Sequence, residues 1–562
     1  MRNKESKGIR AKGWLAIAFS VLGTLSLNQA LAESDASGLL ETKVSQDVIT
    51  QQLDPYFQAL AKNNRLLAKV ALYKGNHELY STTLEANGDK TKITDANFKY
   101  KIGSITKTFT AVLVFQLVEE GKLSLETTLD KYYPKVANAK HITIEQMLNH
   151  HSGIHSYTDD PQFIEYYMSP QDKSFLVQKI ESFDADFEPG EKGAYSNSNY
   201  LLLGYILEQI EEKPYAEMLQ ERIFKPLGMK GTLLGTEINP ENGETYSYQL
   251  QQAKWQEVPQ WDMSVAYSAG AIVSTAGDLN HFIKGLFDGK LISNESLKKM
   301  IELDDGFGKG IFATKYQLEN SVLQGYWHNG GIEAFISHLA YYPAEDLTVV
   351  VLTNGMSYDI RKVYEALLDA YFGKEVAIPE FNQAVELDTA VLKPLVGEYT
   401  SETHPLDISI SLVGDQLYAQ ATGQGGFPLT PLSKNRFEFV EAGIEIRFDR
   451  ENQQFEINQG GRTDIFIKSV DAKDKKTVDI ALEVLEQYVG TYSSDSFPLD
   501  IEVSIKNGQL YAQATGQSAF PLTPVTNNKF KFSLADIVIE FDVEKRHLTI
   551  TQRGQPRIMQ KK

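Results

Sequence analysis

An internal duplication constrains what the last third of the chain can fold into. Short segments recur there at one constant offset of 93 residues (489 − 396), and one eight-residue segment recurs unchanged. Such fidelity at a fixed spacing indicates one structural unit present twice. The matching segments are residues 396–399 (VGEY) with 489–492 (VGTY), 417–424 with 510–517 (LYAQATGQ in both), and 427–431 with 520–524 (FPLTP in both).

Each copy of the duplicated unit has the pattern of an all-β module. Polar and apolar residues alternate with period two, as in Asp407 to Leu412, over roughly eight short runs per copy. Turn residues such as Asn507-Gly508 separate the runs. Closing such a meander into a barrel removes its unpaired edges. We therefore predict two eight-stranded barrel-like repeats, at residues 393–470 and 482–562.

The region before the repeats, residues 33–380, mixes strands with amphipathic helices. Residues 67–84 are predicted to form a hairpin around Gly75-Asn76, residues 347–352 (LTVVVL) a buried strand, and residues 360–372 a helix. Strands thus lie at both ends of this region, with helices between them. The order predicts an α+β fold, with one sheet assembled from both ends and an inserted helical subdomain.

The first 32 residues have the pattern of a secretory signal peptide. Five basic residues precede an apolar run from Trp14 to Leu27, and Ala30-Leu31-Ala32 forms a small-x-small cleavage site. The run is shorter than the ~20 residues that a membrane-spanning helix needs. We therefore expect an exported protein, periplasmic or secreted, with no membrane span in the mature chain. With no cysteine in the sequence, packing without disulfides must hold the fold.

The balance of charges and the missing metal motifs exclude several classes of function. The chain has 55 Lys and Arg against 74 Asp and Glu, a net charge of −19. Nucleic-acid binding needs clustered cations that release counterions, so DNA and RNA are excluded as partners. The sequence has neither a His-Glu-x-x-His motif nor a phosphate-cradling Gly-x-x-x-x-Gly-Lys run. We expect no metal and no cofactor.

A serine and a lysine one helical turn apart are the first candidates for chemistry. Ser104 and Lys107 lie at the start of a predicted helix that ends near Gly121, and a spacing of three places them on one face. A desolvated lysine can be neutral enough to take the proton of a serine hydroxyl. The spacing alone is weak support, because Ser296 and Lys299 repeat it in a charged segment.

Two further clusters offer groups that could complete such a site. Tyr195, just before a predicted helix, could relay protons, since a phenol beside an ammonium ion has its ionised form favoured. Asn197 offers an amide to orient the lysine and a substrate. In the segment His328-Asn329-Gly330-Gly331, small residues on a strand edge allow a substrate backbone to approach closely. The backbone N–H groups of Gly331 and Ser104 could together hold a developing oxyanion.

In this chain order, the three clusters resemble the motifs of the penicillin-recognising serine hydrolases. The pattern is most similar to the class C β-lactamase and D-aminopeptidase branch, the S12 peptidases, with Tyr-x-Asn as second motif and His-x-Gly as third. Residues 147–153 (MLNHHSG) and 270–282 resemble further segments of that branch. The resemblance covers about residues 45–375 and implies the β-lactamase/transpeptidase-like fold.

The resemblance implies a role for each matched residue. Ser104 is the acylated nucleophile, Lys107 and Tyr195 serve as base and proton relay in an order that remains open, and Asn197 is an orienting residue. His328 and Gly330 fill the third motif, and the substrate carbonyl lies between the N–H groups of Ser104 and Gly331. Two departures restrict the substrate. His328 replaces the permanently charged lysine of β-lactamases, and Ala334 replaces a glycine at the strand edge.

Three functions are consistent with these motifs and the roles that the resemblance implies. The first is an exported, D-stereospecific serine peptidase or amidase acting on short peptides, with the barrels shaping its cleft as in D-aminopeptidases. The second keeps the acyl-enzyme but makes the protein an esterase or a weak β-lactamase. The third is a penicillin- or ligand-binding protein that acylates without turnover. The expected partner is accordingly a small peptide, ester or lactam substrate.

Overall fold

The computed structural model describes residues 44–85 and 98–562 apart from short gaps, at 161, 252–253, 382–384, 402–403, 405, 423–425, 440–441, 460–461, 470–479, 495–496, 507–508, 516–519, 533–536 and 553–554. The predicted signal peptide and the Asn507-Gly508 turn lie outside these residues. The described chain divides into two compact units, one extending to Glu380 and the other covering Phe381–Lys562. No helix in the described ranges is long and apolar enough to span a bilayer.

The first unit combines helices and strands, which confirms the predicted α+β class. Its helices are α1 Gln46–Lys62, α2 Thr106–Glu119, α3 Ile144–Leu148, α4 Phe163–Tyr166, α5 Lys173–Glu181, α6 Asn197–Glu211, α7 Tyr215–Leu219, α8 Lys225–Leu227, α9 Met263–Gly270, α10 Ala276–Phe287, α11 Asn294–Ile301 and α12 Ile360–Tyr371. Its strands are β1 Leu66–Lys74, β2 His77–Leu84, β3 Tyr100–Lys101, β4 Leu233–Leu234, β5 Tyr248–Gln251, β6 Lys254–Glu257, β7 Ile272–Ser274, β8 Phe312–Gln317, β9 Val322–Ile332, β10 Phe335–Tyr342 and β11 Leu347–Met356.

The main sheet is built from both ends of this unit, as the sequence predicts. Its order is β2-β1-β11-β10-β9-β8, with β5 pairing β11 and β6, and β1 pairs antiparallel with β11 over its whole length. The hairpin turns at Gly75-Asn76, and β11 is buried along nearly all of its length. Most of the helices come between β2 and β8 in the chain, which makes them the inserted subdomain.

Helix α2 occupies the middle of the core. Eleven of its 14 residues are buried, so the helix has almost no solvent face. Phe109 stacks on Phe282 of α10 with ring centroids 3.5 Å apart, and α2 also packs against α6, α7, α9 and α11. A helix that is apolar all round is expected in a protein interior. The first residues of this buried helix are those that carry the candidate chemistry.

The second unit holds the two predicted all-β repeats. The strands of the first repeat are β12 Gly397–Thr400, β13 Ile408–Val413, β14 Gln416–Ala421, β15 Phe427–Pro431, β16 Arg436–Phe439, β17 Ile444–Asp449, β18 Gln454–Gln459 and β19 Arg462–Lys468, and they close into a barrel in chain order. The strands of the second repeat are β20 Gly490–Ser494, β21 Phe497–Lys506, β22 Gln509–Ala514, β23 Phe520–Pro521, β24 Thr523–Pro524, β25 Lys529–Phe532, β26 Ile537–Asp542, β27 His547–Gln552 and β28 Gln555–Lys561.

The nine strands of the second repeat match the eight of the first. Strands β23 and β24 occupy the positions that β15 occupies 93 residues earlier, and Leu522 separates them. The backbone N–H of Leu522 donates to the carbonyl of Leu510 (2.8 Å), so the interrupted strand still contacts β22. Short helices, α13 Thr389–Leu392 and α14 Leu482–Leu485, precede the two barrels. The prediction of two eight-stranded barrel-like repeats is confirmed.

Candidate active site

Ser104 lies in a tight 3₁₀ turn, Gly103–Ile105, that leads directly into α2. Gly103 has φ +51°, in the left-handed region that favours glycine. A Cβ atom on Gly103 would lie 2.7 Å from the backbone nitrogen of Gly331, so the turn packs closely against the end of β9. Ser104 itself is partly exposed, which leaves its hydroxyl accessible to a ligand.

Lys107 holds its amine next to the Ser104 hydroxyl. The side chain is fully buried, and Nζ lies 3.0 Å from Ser104 Oγ and 2.6 Å from the carbonyl oxygen of Ala269. Burial lowers the pKa of Lys107 well below its ordinary value, because the charged form loses its hydration. The amine is therefore neutral over a wider pH range than that of an exposed lysine, and a neutral amine can accept a proton.

The carbonyl that binds Lys107 comes from α9. Ala269 lies in the last turn of this helix, where carbonyl groups have no partner within the helix. The backbone departs from helical geometry two residues earlier, at Tyr267 (φ 33°, ψ −126°). The Tyr267 hydroxyl donates to Glu208 Oε1 (2.6 Å), which fixes the kinked segment to α6. The sequence contains no side-chain signal for this backbone acceptor.

Tyr195 lies just before α6, over the same amine. Its ring centroid is 5.0 Å from Lys107 Nζ, and the ring stacks on His150 with centroids 4.3 Å apart. Although 38% of the residue is exposed, desolvation raises the pKa of the Tyr195 phenol, and a hydrogen bond with Ser104 opposes this effect more weakly. The expectation that the phenol is biased towards its ionised form is therefore wrong for the resting site. Burial also lowers the pKa of Lys107, so it disfavours the ammonium charge that would stabilise a phenolate.

Asn197, the first residue of α6, is hydrogen-bonded to the segment that follows α3. Its amide nitrogen donates to Thr158 Oγ1 (2.9 Å), and its backbone N–H donates to Ser156 Oγ (3.1 Å). These bonds fix the start of α6 to the segment that follows α3. The amine of Lys107 is oriented instead by Ser104 and Ala269, so an orienting role of Asn197 towards the lysine remains a prediction.

The third predicted motif lies on the last residues of β9. His328 and Gly330 are buried, whereas Asn329 and Gly331 are exposed, as expected for alternate residues of a strand. A Cβ on Gly330 would lie only 1.9 Å from the carbonyl oxygen of Ile102, which also accepts a hydrogen bond from Ser337 Oγ (2.8 Å). Glycine at position 330 is thus required for the turn that carries Ser104 to dock on this strand.

His328 is a neutral residue in this arrangement. Its Nδ1 lies 2.5 Å from the carbonyl oxygen of Asn329 and therefore carries the hydrogen. Burial lowers the pKa of His328 to about 3, and proximity to Lys107 contributes in the same direction. The residue that replaces the lysine of β-lactamases consequently provides no positive charge near neutral pH.

The second Ser-x-x-Lys spacing shows what Ser104 and Lys107 gain from their surroundings. Ser296 and Lys299 lie in α11, where Lys299 is 54% exposed and pairs with Glu295 (Nζ–Oε1 3.6 Å). The Ser296 hydroxyl is bonded to Ser293 (3.3 Å). A charged, solvated lysine cannot take a proton from serine, so the same spacing has no chemical consequence there. Among the residues placed by the structure, no group of three or more metal-ligating side chains is found.

The comparison with protein families identifies this arrangement. The sequence profile of the Beta-lactamase family matches residues 53–371, more than half of the chain. The chain belongs to the beta-lactamase family. The match ends before the second unit begins at Phe381, so the barrels lie outside the part that defines membership of the beta-lactamase family.

Relatives in the beta-lactamase family include penicillin-binding proteins. The chain is 25% identical to Penicillin-binding protein 4* of Bacillus subtilis over 436 residues, which cover 71% of this chain and 93% of that protein. It is 29% identical to the putative penicillin-binding protein PbpX of the same organism over 274 residues, 48% of this chain and 66% of that one. The penicillin-binding protein homologue of Pyrococcus abyssi has the same fold, with a TM-score of 0.52 at 22% identity over 74% of this chain and 99% of that chain.

The structure brings together most of the residues that the motifs predict and adds others. Ser104, Lys107 and Tyr195 are in mutual contact, and His328 and Gly330 line the strand beside them. The motifs did not assign a role to His150, which packs under Tyr195 and accepts a hydrogen bond at Nδ1 from the backbone of Ser196 (3.1 Å). His150 lies within residues 147–153, which resemble a segment of the S12 peptidase branch. That resemblance is the sequence signal that could have identified it.

Proposed function

We propose that the chain is an exported serine hydrolase that forms an acyl-enzyme on Ser104, and that its substrates are short peptides or amides of D-stereochemistry. The contact between Ser104 Oγ and the buried amine of Lys107, 3.0 Å apart, carries this proposal. A serine hydroxyl is a weak nucleophile unless a neighbouring base takes its proton. Lys107 meets both requirements for such a base, which are reach and a lowered pKa.

In the proposed reaction, Ser104 Oγ attacks the carbonyl carbon of the scissile bond while its proton passes to Lys107 Nζ. The carbonyl oxygen becomes an oxyanion between the backbone N–H groups of Ser104 and Gly331. The C–N bond then breaks, and the leaving amine takes a proton. Water subsequently attacks the ester carbon, which releases the acid and restores the Ser104 hydroxyl.

Tyr195 is proposed to deliver the proton to the leaving amine. The raised pKa of its phenol keeps the hydroxyl protonated, and this state suits a proton donor better than a base. Its interaction with Ser104 supports a position of the hydroxyl near the bond that breaks. The proton that Lys107 took from Ser104 replaces the one that Tyr195 gives to the leaving amine, so one proton is carried from the nucleophile to the product.

The neutral character of His328 supports an amide or peptide over a lactam. A β-lactam carries a carboxylate that a permanent cation would hold, and His328 lacks such a charge because its pKa lies near 3. Substrates that do not depend on a carboxylate anchor are therefore favoured. The D-preference rests on the resemblance to D-aminopeptidases and is part of the proposal.

Intact-protein mass spectrometry tests the proposal. The wild type, Ser104→Ala and Ser296→Ala are incubated with D-aminoacyl anilides, their L-enantiomers, p-nitrophenyl esters and a penicillin. We expect an adduct and turnover of D-anilides in the wild type and in Ser296→Ala, and neither in Ser104→Ala. Turnover of esters alone would replace the proposal by an esterase. A penicillin adduct that persists without product release would replace it by a binding protein.

Export through residues 1–32 is tested separately. When the full chain is expressed in a Gram-negative host, we expect the mature protein to begin at Glu33 and to appear in the periplasm or the medium. An N-terminus at Met1 together with retention in the cytoplasm would contradict export, without affecting the proposed chemistry.

A further inference from the structure

A buried ion pair joins two segments that adjoin, in the chain, the two backbone groups proposed to bind the oxyanion. Lys101 Nζ and Glu333 Oε1 are 2.6 Å apart, and their side chains are 1% and 0% exposed. Burial raises the pKa of Glu333, while Lys101 opposes that rise. The catalytic motifs include neither residue.

The positions of the two residues in the chain relate the pair to the reaction. Lys101 ends β3, three residues before Ser104, and Glu333 is in the turn that follows β9, two residues after Gly331. Lys101 therefore lies in the strand that leads to the Ser104 N–H group. Glu333 lies in the turn that follows the Gly331 N–H group. The two ions are 232 positions apart in the sequence, which makes this a long-range connection.

Glu333 also fixes a third segment. Its Oε1 accepts a hydrogen bond from the backbone N–H of Trp261 (2.7 Å), two residues before α9 begins. Helix α9 supplies the Ala269 carbonyl that binds Lys107. The Glu333 carboxylate thus connects the β9–β10 turn to two other segments. One is β3, which leads to Ser104, and the other is the segment before α9, the helix that binds Lys107.

The energetic cost of this ion pair indicates that it contributes defined geometry rather than stability. Two buried charges lose their hydration, and apolar side chains of similar size often stabilise a fold equally well. Glu333 additionally has φ +54°, a backbone conformation that is strained for a residue other than glycine. A charged contact with defined geometry restrains the distance between two backbones more closely than apolar packing does.

We propose that Lys101 and Glu333 are positioning residues that set the spacing of the Ser104 and Gly331 N–H groups and so stabilise the oxyanion of the acylation step. The proposal rests on the proposed function. It assigns to the pair an effect on the transition state rather than on substrate binding, since only interactions that strengthen in the transition state raise kcat.

The test uses the full chain and the acyl donor that acylates Ser104 fastest. For Glu333→Gln we expect kcat to fall about tenfold or more with KM changed less than about threefold, because small displacements of catalytic groups are costly. Inhibition by phenylboronic acid, whose Ser104 adduct places an oxygen between the two N–H groups, should weaken by a similar factor. Asp346→Asn is the matched control, since Asp346 forms an ion pair with Lys284 (3.0 Å) just after the 3₁₀ turn Pro343–Glu345. We expect it to leave kcat and boronate inhibition unchanged.

Lys101→Met provides a second variant that removes the pair from its other side. It should reproduce the fall in kcat, and the double variant Lys101→Met/Glu333→Gln should be no slower than the slower single variant, because the two residues act through one contact. Wild-type kcat and boronate inhibition in folded single variants would overturn the positioning role and leave the proposed function intact. Absence of any Ser104 adduct in the wild type would overturn both.

Discussion

Lys107, His150 and His328 are buried residues of the candidate site, and burial disfavours the charged form of all three. The pKa of each is lowered mainly by desolvation, and the residues reinforce one another because a charge on one disfavours a charge on the next. The phenol of Tyr195 is neutral for the same reason. Burial therefore favours the neutral form of each of these four side chains, and a neutral Lys107 can accept a proton.

Lys107→Met tests the role of this amine. We expect the acylation rate to fall about a thousandfold, within the range that general-base catalysis contributes. Because the folded pKa of Lys107 lies below its unfolded value, the unfolded chain binds this proton more tightly than the folded site does, so this residue contributes less stability at neutral pH than near pH 10.5. The variant should consequently show a higher Tm than the wild type at pH 7, and this advantage should shrink as the pH rises towards 10.5.

Lys299→Met is the control for that experiment, because Lys299 has the same spacing from a serine but is 54% exposed. Neither its acylation rate nor its Tm should change appreciably. Acylation that persists at the wild-type rate in Lys107→Met would show that another group takes the Ser104 proton.

His328 should influence the acid stability of the protein. Its folded pKa is about 3, whereas the value in an unfolded chain is about 6.5. The unfolded state therefore binds the extra proton between these values, and the contribution of His328 to stability is lost as the pH falls from 6.5 towards 3. In His328→Gln, Tm measured from pH 7 to pH 4 should decline less steeply than in the wild type. The same change at the exposed His77 should leave the decline as it is.

At the scale of elements, the site depends on how closely the Ser104 turn docks on the end of β9. Gly103 and Gly330 permit this approach, and the Ser337 hydroxyl and the Lys101–Glu333 pair hold it. Helix α2 then carries Lys107 from the same turn to the Ala269 carbonyl at the end of α9. A turn, a strand and two helices thus determine the positions of two reactive side chains.

Gly330→Ala tests this docking. The new Cβ would lie 1.9 Å from the Ile102 carbonyl oxygen, so the turn must move. We expect the free energy of unfolding to fall by about 1–3 kcal/mol, as for other overpacked sites, and acylation to fall about a hundredfold. Gly331→Ala is the matched variant for stability, because its Cβ meets nothing within 4 Å, and its Tm should equal that of the wild type. Equal acylation by Gly330→Ala and wild type would contradict the docking argument.

The elements that the sequence predicts are those with a recognisable apolar pattern, either a continuous run or an alternation of apolar and polar residues. The hairpin at Gly75-Asn76, the strand at 347–352 and the two barrels follow from apolar patterning and from the repeat itself. The Ala269 carbonyl and the Lys101–Glu333 pair have no such signal, because one is a backbone atom and the other joins residues 232 positions apart. The protonation state of Tyr195 could not be predicted either, since it depends on burial rather than on neighbours in the chain.

At the scale of the whole molecule, the described site residues all belong to the first unit, whereas the barrels form the second. Each unit has its own hydrophobic core, one around α2 and one inside the first barrel formed by residues such as Phe437, Phe455 and Phe466. The chemistry and the repeats are therefore separable features of this protein, and a role of the barrels in limiting substrate length remains a prediction.

Deletion of residues 381–562 tests that role. We expect the remaining chain to be acylated at Ser104 by a short donor within about threefold of the full-length rate, because every candidate catalytic group is retained. If the barrels shape the cleft, the shortened protein should also hydrolyse peptides that the full chain rejects. A ladder of D-terminal peptides of increasing length, analysed by chromatography, measures both effects. Unchanged length selectivity would count against a gating role.

The near-complete burial of α2 affects how this protein can diversify. With 11 of 14 residues buried, almost every substitution along the helix alters core packing and transmits the strain to the serine at its start. New specificities are therefore easier to acquire in the peripheral segments that contact the site rings, such as the one carrying Phe307, which packs against His150. Substitutions from natural variation and from laboratory selection should both be rare in α2 and accumulate in these peripheral segments.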